Sequence, residues 1–277
     1  MGISLQKVSF HYTKNQSKDG INNLDLIINE GDFLCICGAT GSGKSTLVAH
    51  LNALLLPQSG SLKIDEYSIP FKRSFNINLL RQKVGLSFQF PEYQLFANSV
   101  LADCMFGPLN FKFSKEQAQS SALRVLELLK ISDLKDQSPL ELSGGQMRKV
   151  AIAGIMASNP QYLVFDEPTR GLDQKASQEL LQLFYQLNQE KQQTIIAITH
   201  DMDFVAKYAS RVIVLKEGEI VFNGSKEELF ESHNFSNFGL DYPSTIKVLK
   251  YLSQETGLVF KPLYQVAEVL EYLQEKA

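Results

Sequence analysis

The nine residues G-A-T-G-S-G-K-S-T, Gly38 to Thr46, restrict the folding of this chain more than any other stretch. They follow the apolar run F-L-C-I-C at 33 to 37 and precede a segment in which Leu47, Val48, Leu51, Leu54 and Leu55 recur at helical spacing and stop before Pro57. The pattern is G-x-x-x-x-G-K-[ST] between a strand and a helix. Glycines let the backbone curl until several N–H groups and the helix N-terminus point at one anion, and Lys44 adds a full positive charge beside it. Gly38, Ala39, Thr40, Gly41, Ser42, Gly43, Lys44, Ser45 and Thr46 are therefore expected to bind the phosphates of a nucleotide, with Ser45 supplying a ligand to Mg²⁺.

A strand feeding such a loop needs a sheet around it. Apolar runs recur at I-S-L-Q-K-V-S-F near the start, Y-L-V-F (162 to 165), T-I-I-A-I (194 to 198) and R-V-I-V-L (211 to 215), with helical patterns between them. Runs that are apolar on both faces imply a parallel sheet covered on both sides, an α/β fold. From about 100 to 160 helices take over. Ser114 with Gln117 forms a capping box opening a helix that carries Ala118, Ala122, Val125, Leu126 and Leu129, so a helical subdomain interrupts the core. After Ser225 the strand pattern ends, and amphipathic segments follow at about 244 to 255 and 263 to 275, separated by Gly257 and Pro262.

Bulk properties exclude other classes. A hydrophobic content of 44 % is enough for a globular core, and 27 basic against 30 acidic residues, net charge -3, offer no overall reason to expect a nucleic acid partner. No apolar run approaches the roughly 20 residues that span a bilayer. The opening M-G-I-S-L-Q-K-V-S-F has no basic segment followed by an apolar block, so a cytosolic location is the default expectation. Cys35 and Cys37 lie on an apolar run expected to be a buried strand, with no His or further Cys nearby, and read as small hydrophobes. His11, His50 and His233 read as surface residues.

Two further elements carry chemistry. Y-L-V-F-D-E ends a strand in two carboxylates: Asp166 suits Mg²⁺ held through water, and Glu167 suits polarising the attacking water. His200 ends T-I-I-A-I-T-H at the same carboxyl edge, where open α/β sheets place ligands, and is expected to contact a γ-phosphate. Inside the helical region stands L-S-G-G-Q, Leu142, Ser143, Gly144, Gly145 and Gln146. Ser143 and Gln146 make a capping box there, and two glycines expose N–H groups at a helix start, a second anion site.

One phosphate loop and one L-S-G-G-Q in this order resemble the ATP-binding cassette family over about residues 3 to 230. The resemblance implies a P-loop NTPase core with a mostly parallel sheet and an antiparallel β subdomain, an inserted helical subdomain at about 95 to 160, and a helical extension over 231 to 277. It implies that L-S-G-G-Q acts on the ATP of a partner subunit, so a second cassette is required. By the same resemblance Tyr12 stacks on adenine, unless it is only a strand-edge tyrosine. Gln89 meets Mg²⁺ and the attacking water, making the metal set Ser45, Gln89 and Asp166, and the catalytic set Glu167, His200 and Gln89. Asp173 crosses the dimer interface or caps the helix that follows, or both. F-Q-F-P-E-Y-Q-L-F (88 to 96), L-N-A-L-L-L-P-Q-S-G (51 to 60) and L-S-G-G-Q-M-R-K-V-A-I-A-G (142 to 154) are similar to energy-coupling factor importers of vitamins and metal ions, most of all to the second of their two A-component ATPases. The implied partners are a paralogous ATPase, a transmembrane T component and a substrate-binding S component, with the chain peripheral on the cytoplasmic membrane face. Pro91 to Phe96 would receive the membrane partner or pack the helical subdomain on the core, and the tail would contact a dimer mate or pack on its own chain. A cassette of another importer, or a soluble ABC ATPase without transport, is the other reading.

Overall fold

The computed structural model describes residues 2–13, 19–70 and 75–276. Its first part runs β1 (Gly2–His11), β2 (Gly20–Asn29), β3 (Phe33–Cys37), α1 (Lys44–Leu51), β4 (Ser59–Ile64), β5 (Tyr67–Ile69), α2 (Ile77–Lys83) and β6 (Val84–Ser87). The helices α3 (Val100–Asn110), α4 (Lys115–Leu128) and α5 (Gly144–Ala157) follow. Strands return with β7 (Tyr162–Asp166), α6 (Gln174–Lys191), β8 (Thr194–Ile198), α7 (Met202–Tyr208), β9 (Arg211–Lys216) and β10 (Glu219–Gly224). The chain closes with α8 (Lys226–Glu231), α9 (Ser244–Thr256) and α10 (Val266–Lys276).

The larger sheet has the order β10-β9-β3-β8-β7-β6 and is parallel from β9 to β6, with β10 antiparallel at one edge. Its apolar runs are two-sided because both faces are covered. Phe33, Cys35 and Cys37, with Leu163, Phe165, Ile195 and Ala197, point into a core shared with α3 to α7, where Phe165 stacks on Phe184 at 4.2 Å. The alternate residues Leu34, Ile36, Tyr162, Val164, Ile196 and Ile198 enter a second core with α1 and the smaller sheet. Period-2 alternation thus splits every central strand between two hydrophobic layers. The cysteines are fully buried free thiols, and burial pushes Cys37 up to about 12, so it stays neutral packing.

The first strand does not join that parallel sheet. It lies in an antiparallel sheet of order β2-β1-β4-β5, with Ile3, Leu5 and Val8 buried. Leu5 and Val8 are an odd number of residues apart yet share a face, because the register shifts between them and Lys7 takes φ 49°. A buried bond joins the two sheets: Tyr162 Oη donates to Asp65 Oδ1 at 2.7 Å.

Two expectations need correction. α1 ends at Leu51, since Ala53 turns left-handed at φ 51° and the N–H groups of Leu54 and Leu55 both donate to Ala49 C=O; Leu54 is left exposed. His50 is not a surface residue but is fully buried, with Nδ1 2.7 Å from Thr46 C=O and its ring edge-on to Phe10; burial lowers its pKa and keeps it neutral.

The C-terminal helices rest on the body through α7. Asp203 accepts from Ser244 N at 2.7 Å and from Ser244 Oγ at 2.6 Å, and Tyr242 stacks on Phe235 at 4.1 Å. Leu249, Leu263, Val269 and Tyr272 form a small core of their own, while Val248, Tyr251, Val266 and Leu270 stay exposed. Among the described residues no helix is long and apolar enough to cross a membrane.

Candidate nucleotide-binding and hydrolysis site

Parallel strands bring their carboxyl ends to one edge, and the candidate residues collect there. The loop after β3 turns through Gly38 (φ 138°), Gly41 (φ 80°) and Gly43 (φ 101°), and its end is the N-terminus of α1. These are conformations that side chains disfavour. Lys44 Nζ curls back over the loop and donates to the carbonyls of Gly38 at 2.8 Å and Ala39 at 2.7 Å, so a cation is held over the loop. Burial lowers the Lys44 pKa, while Asp166 and Glu167 hold it up.

Ser45 Oγ donates to Asp166 Oδ2 at 2.8 Å. A hydroxyl and a carboxylate side by side at the phosphate loop are the hard oxygen donors that Mg²⁺ prefers, with the remaining positions left to substrate phosphates and water. Burial raises the Asp166 pKa, and the Ser45 bond, Lys44 and Arg170 oppose the rise. The next residue, Glu167, adopts φ 54° with its N–H bonded to Ile198 C=O at 3.0 Å. A left-handed non-glycine residue at this edge is a strained conformation of the kind found where a side chain must be aimed. Its carboxylate reaches His200 Nδ1 at 2.7 Å, and that imidazole is 81 % exposed.

Gln89 stands on the loop after β6, which neighbours β7, and lines the same cavity of about 590 Å³ as Thr40, Glu167, Arg170 and His200. The loop is anchored by Arg148 of α5, which donates to Gln89 C=O and lies 3.4 Å from Glu92. Tyr12 follows β1, 61 % exposed, with Oη 3.3 Å from Thr46 Oγ1 and its ring against Phe10, so an aromatic face stands beside the loop. Leu142, Ser143, Gly144, Gly145 and Gln146 are elsewhere, at the start of α5, and none lines that cavity. Ser143 Oγ accepts from Gln146 N and Gln146 Oε1 accepts from Ser143 N, closing the capping box. Asp173 caps α6, accepting from Ala176 N at 2.7 Å.

A family model described as ABC transporter matches residues 21–170. The energy-coupling factor transporter ATP-binding protein EcfA2 of Bacillus licheniformis is 41 % identical over 274 residues, covering 97 % of this chain and 95 % of that protein. Its Bacillus subtilis counterpart is 45 % identical over 241 residues, 86 % of this chain and 87 % of that one. This chain belongs to the ABC transporter family, among its energy-coupling factor ATP-binding proteins. The cassette fold agrees: CbiO1 of Clostridium perfringens, described as part of the ABC transporter complex CbiONQ, superposes with TM-score 0.75 at 31 % identity, covering 92 % of this chain and 95 % of that one. A dimeric ATP-binding cassette in a post-hydrolysis state with ADP and Pi superposes with TM-score 0.73 at 29 % identity, covering 81 % of this chain and 98 % of that one. The chain is thus an ABC ATPase.

Within this cassette the sequence reading passed over the arginines that grip the Gln89 loop. Arg148 had a signal: five residues past Ser143 it falls on the buried side of α5, where an unpaired charge would not survive. Arg170, in D-E-P-T-R-G-L-D, had none, because only the folded loop brings it to Phe90.

Proposed function

We propose that this chain is the ATP-hydrolysing subunit of an energy-coupling factor importer for vitamins or metal ions, paired with a second cassette on the cytoplasmic membrane face. A transmembrane T component and a substrate-binding S component complete the assembly in this reading. The observation that carries it is the separation of the two anion sites: Lys44, Asp166, Glu167 and His200 lie at or after the ends of β3, β7 and β8, at the carboxyl edge of one sheet, while Ser143 to Gln146 open α5 among the helices. A nucleotide needing both must be shared between two chains.

In the proposed reaction Lys44 and the N–H groups of Gly41 to Thr46 hold the β- and γ-phosphates, and Tyr12 stacks on adenine, worth about 1 to 3 kcal/mol for a base on an aromatic ring. Ser45, Gln89 and, through water, Asp166 would hold Mg²⁺, which would neutralise charge building on the phosphoryl oxygens. Glu167 polarises the attacking water, His200 contacts the γ-phosphate while its Nδ1 is held by Glu167, and Gln89 orients the water from the loop after β6, the hinge between the core and the helical subdomain. Asp173 reaches the partner from its place at the start of α6. Moving a dimer from mostly open to mostly closed takes about 5.5 kcal/mol of differential binding, which two shared ATP molecules supply more readily than one.

The membrane partner seats on a groove of about 420 Å³ between core and helical lobe, lined by Leu54, Phe88, Leu95, Phe96 and Phe106 among others. Tyr93 beside it is 84 % exposed, and a contiguous apolar surface of this kind fits a helix end from a partner. Co-purification from detergent-solubilised membranes tests the assignment. The chain should emerge with a membrane protein, and Tyr93→Ser with Phe96→Ser should lose that association while still binding ATP. Recovery of the wild-type chain free of any membrane partner would favour the soluble ATPase.

A further inference from the structure

The hinge loop is held from two lobes. Arg148, only 3 % exposed, fixes the Gln89 carbonyl and Glu92 from the helical side. From the core side comes Arg170, whose guanidinium carbon lies 4.9 Å from the centroid of the Phe90 ring. Phe90 is the peptide neighbour of Gln89 and stands 5.8 Å from the ring of Tyr93. The N–H of Arg170 donates to Glu167 C=O at 3.2 Å, so the same residue closes the turn that carries the strained carboxylate. Beyond its electrostatic influence on Asp166, its side chain has no part in the phosphate-binding or water-handling roles above.

A guanidinium over an aromatic face is attracted by the ring quadrupole, and its flat, weakly hydrated cation stacks where an ammonium does not. Glu167 and Gln89 stand on different loops, after β7 and β6, and side chains that must address one water need those loops in fixed register. We propose that Arg170 is a positioning residue for hydrolysis, which ties the Gln89 loop to the Glu167 turn by stacking on Phe90. With Arg148 gripping the opposite side, the loop becomes a splint between lobes, and a shift of α5 relative to the core is felt at Glu167. The proposal rests on the roles of Glu167 and Gln89 given above.

The test uses the full chain in its assembled, ATP-hydrolysing complex. Arg170→Ala should lower kcat about tenfold with the KM for ATP within about twofold, since only the reacting geometry is lost. Phe90→Leu should do the same, and the double variant should be no worse than either, because both remove one shared contact. Arg170→Lys should not recover, and the thermal midpoint should stay unchanged throughout. Unimpaired turnover in Arg170→Ala, losses that simply add, or full recovery with lysine would each overturn the proposal. Glu167→Gln serves as the control. If it hydrolyses normally the reading of the site falls and the proposal with it; if it is inactive beside an unimpaired Arg170→Ala, the proposal alone falls.

Discussion

Two helices of this chain open at glycines proposed to face phosphate, and the surroundings of those glycines differ. At α1, a Cβ on Gly38 would stand 2.2 Å from Leu215 C=O and one on Gly43 would stand 2.6 Å from Gly20 C=O, so the chain's own packing demands glycine. At α5, a Cβ on Gly144 would meet nothing within 4 Å and one on Gly145 would touch only Leu172 at 3.4 Å, an ordinary contact. The fold does not need those two glycines. In the proposed shared site they leave the backbone open to close approach by the partner's nucleotide. Lys44, Asp166 and Glu167 crowd the α1 end. In the proposed composite site one end would be a complete phosphate cradle and the other half of one.

The contrast breaks most sharply at Glu167. Glu167→Gln should lose about 10²- to 10⁴-fold in turnover, the size of a positioned base, yet keep ATP and accumulate a closed dimer by sizing or crosslinking. Undiminished turnover would remove Glu167 as the water-polarising group. Next comes Lys44→Ala, expected to weaken ATP binding by roughly 100-fold, as the loss of a charge-assisted contact worth up to about 3 kcal/mol requires. A binding titration with normal affinity would overturn the cradle at α1. The direct comparison is Gly38→Ala against Gly145→Ala. The first should lower the thermal midpoint through the backbone clash; the second should leave it unchanged or raise it slightly, since alanine favours a helix over glycine by up to about 1 kcal/mol, yet cut turnover about tenfold. Full turnover in Gly145→Ala would show that nothing approaches α5.

The same division governs what could be read before folding. The cradle at α1 is local: strand, glycines, lysine and helix are consecutive, so the chemistry of Lys44 and Ser45 is visible in nine residues. The strands β3, β7, β8 and β9 are legible because burial on two faces leaves consecutive apolar residues, as in Leu163 to Phe165 and Val212 to Leu215. β1 instead alternates, with Ile3 and Leu5 buried, and a register shift at Lys7 that no periodicity announces then breaks the alternation. His50 shows the reverse failure. A lone imidazole on a helix looks solvated, and only the approach of Phe10 from another sheet encloses it. Arg170 is hidden for the same reason, since its partner Phe90 is distant in sequence and stands on a loop. Local hydrogen-bonded motifs survive as sequence; contacts between loops from different strands do not.

A small shift in stability is expected at Asp166, where function and stability pull apart. Burial raises its pKa above the ordinary carboxylate value, against the opposing influence of Ser45, Lys44 and Arg170. A group whose folded pKa is raised contributes stability below its unfolded pKa and loses that contribution as pH rises through the folded one. At neutral pH the ionised carboxylate therefore makes the nucleotide-free fold less stable than a neutral side chain would. Asp166→Asn keeps an oxygen to accept from Ser45 Oγ and removes the buried charge. Its thermal midpoint without nucleotide should rise by about 1 to 3 °C at pH 7, and the gain should narrow as pH falls through the carboxylate range. Mg²⁺-dependent turnover should be lost at the same time. A lower midpoint at pH 7 would mean that attraction to Lys44 outweighs the burial, and the α1 end would then be held together by its charges and not strained by them. The α5 end offers a smaller trade of another kind, since alanine at Gly145 removes no charge and no hydrogen bond and gains only helix propensity. A larger stability gain at Asp166 than at Gly145 would mark the cradle as the place where this chain gives up most stability for chemistry.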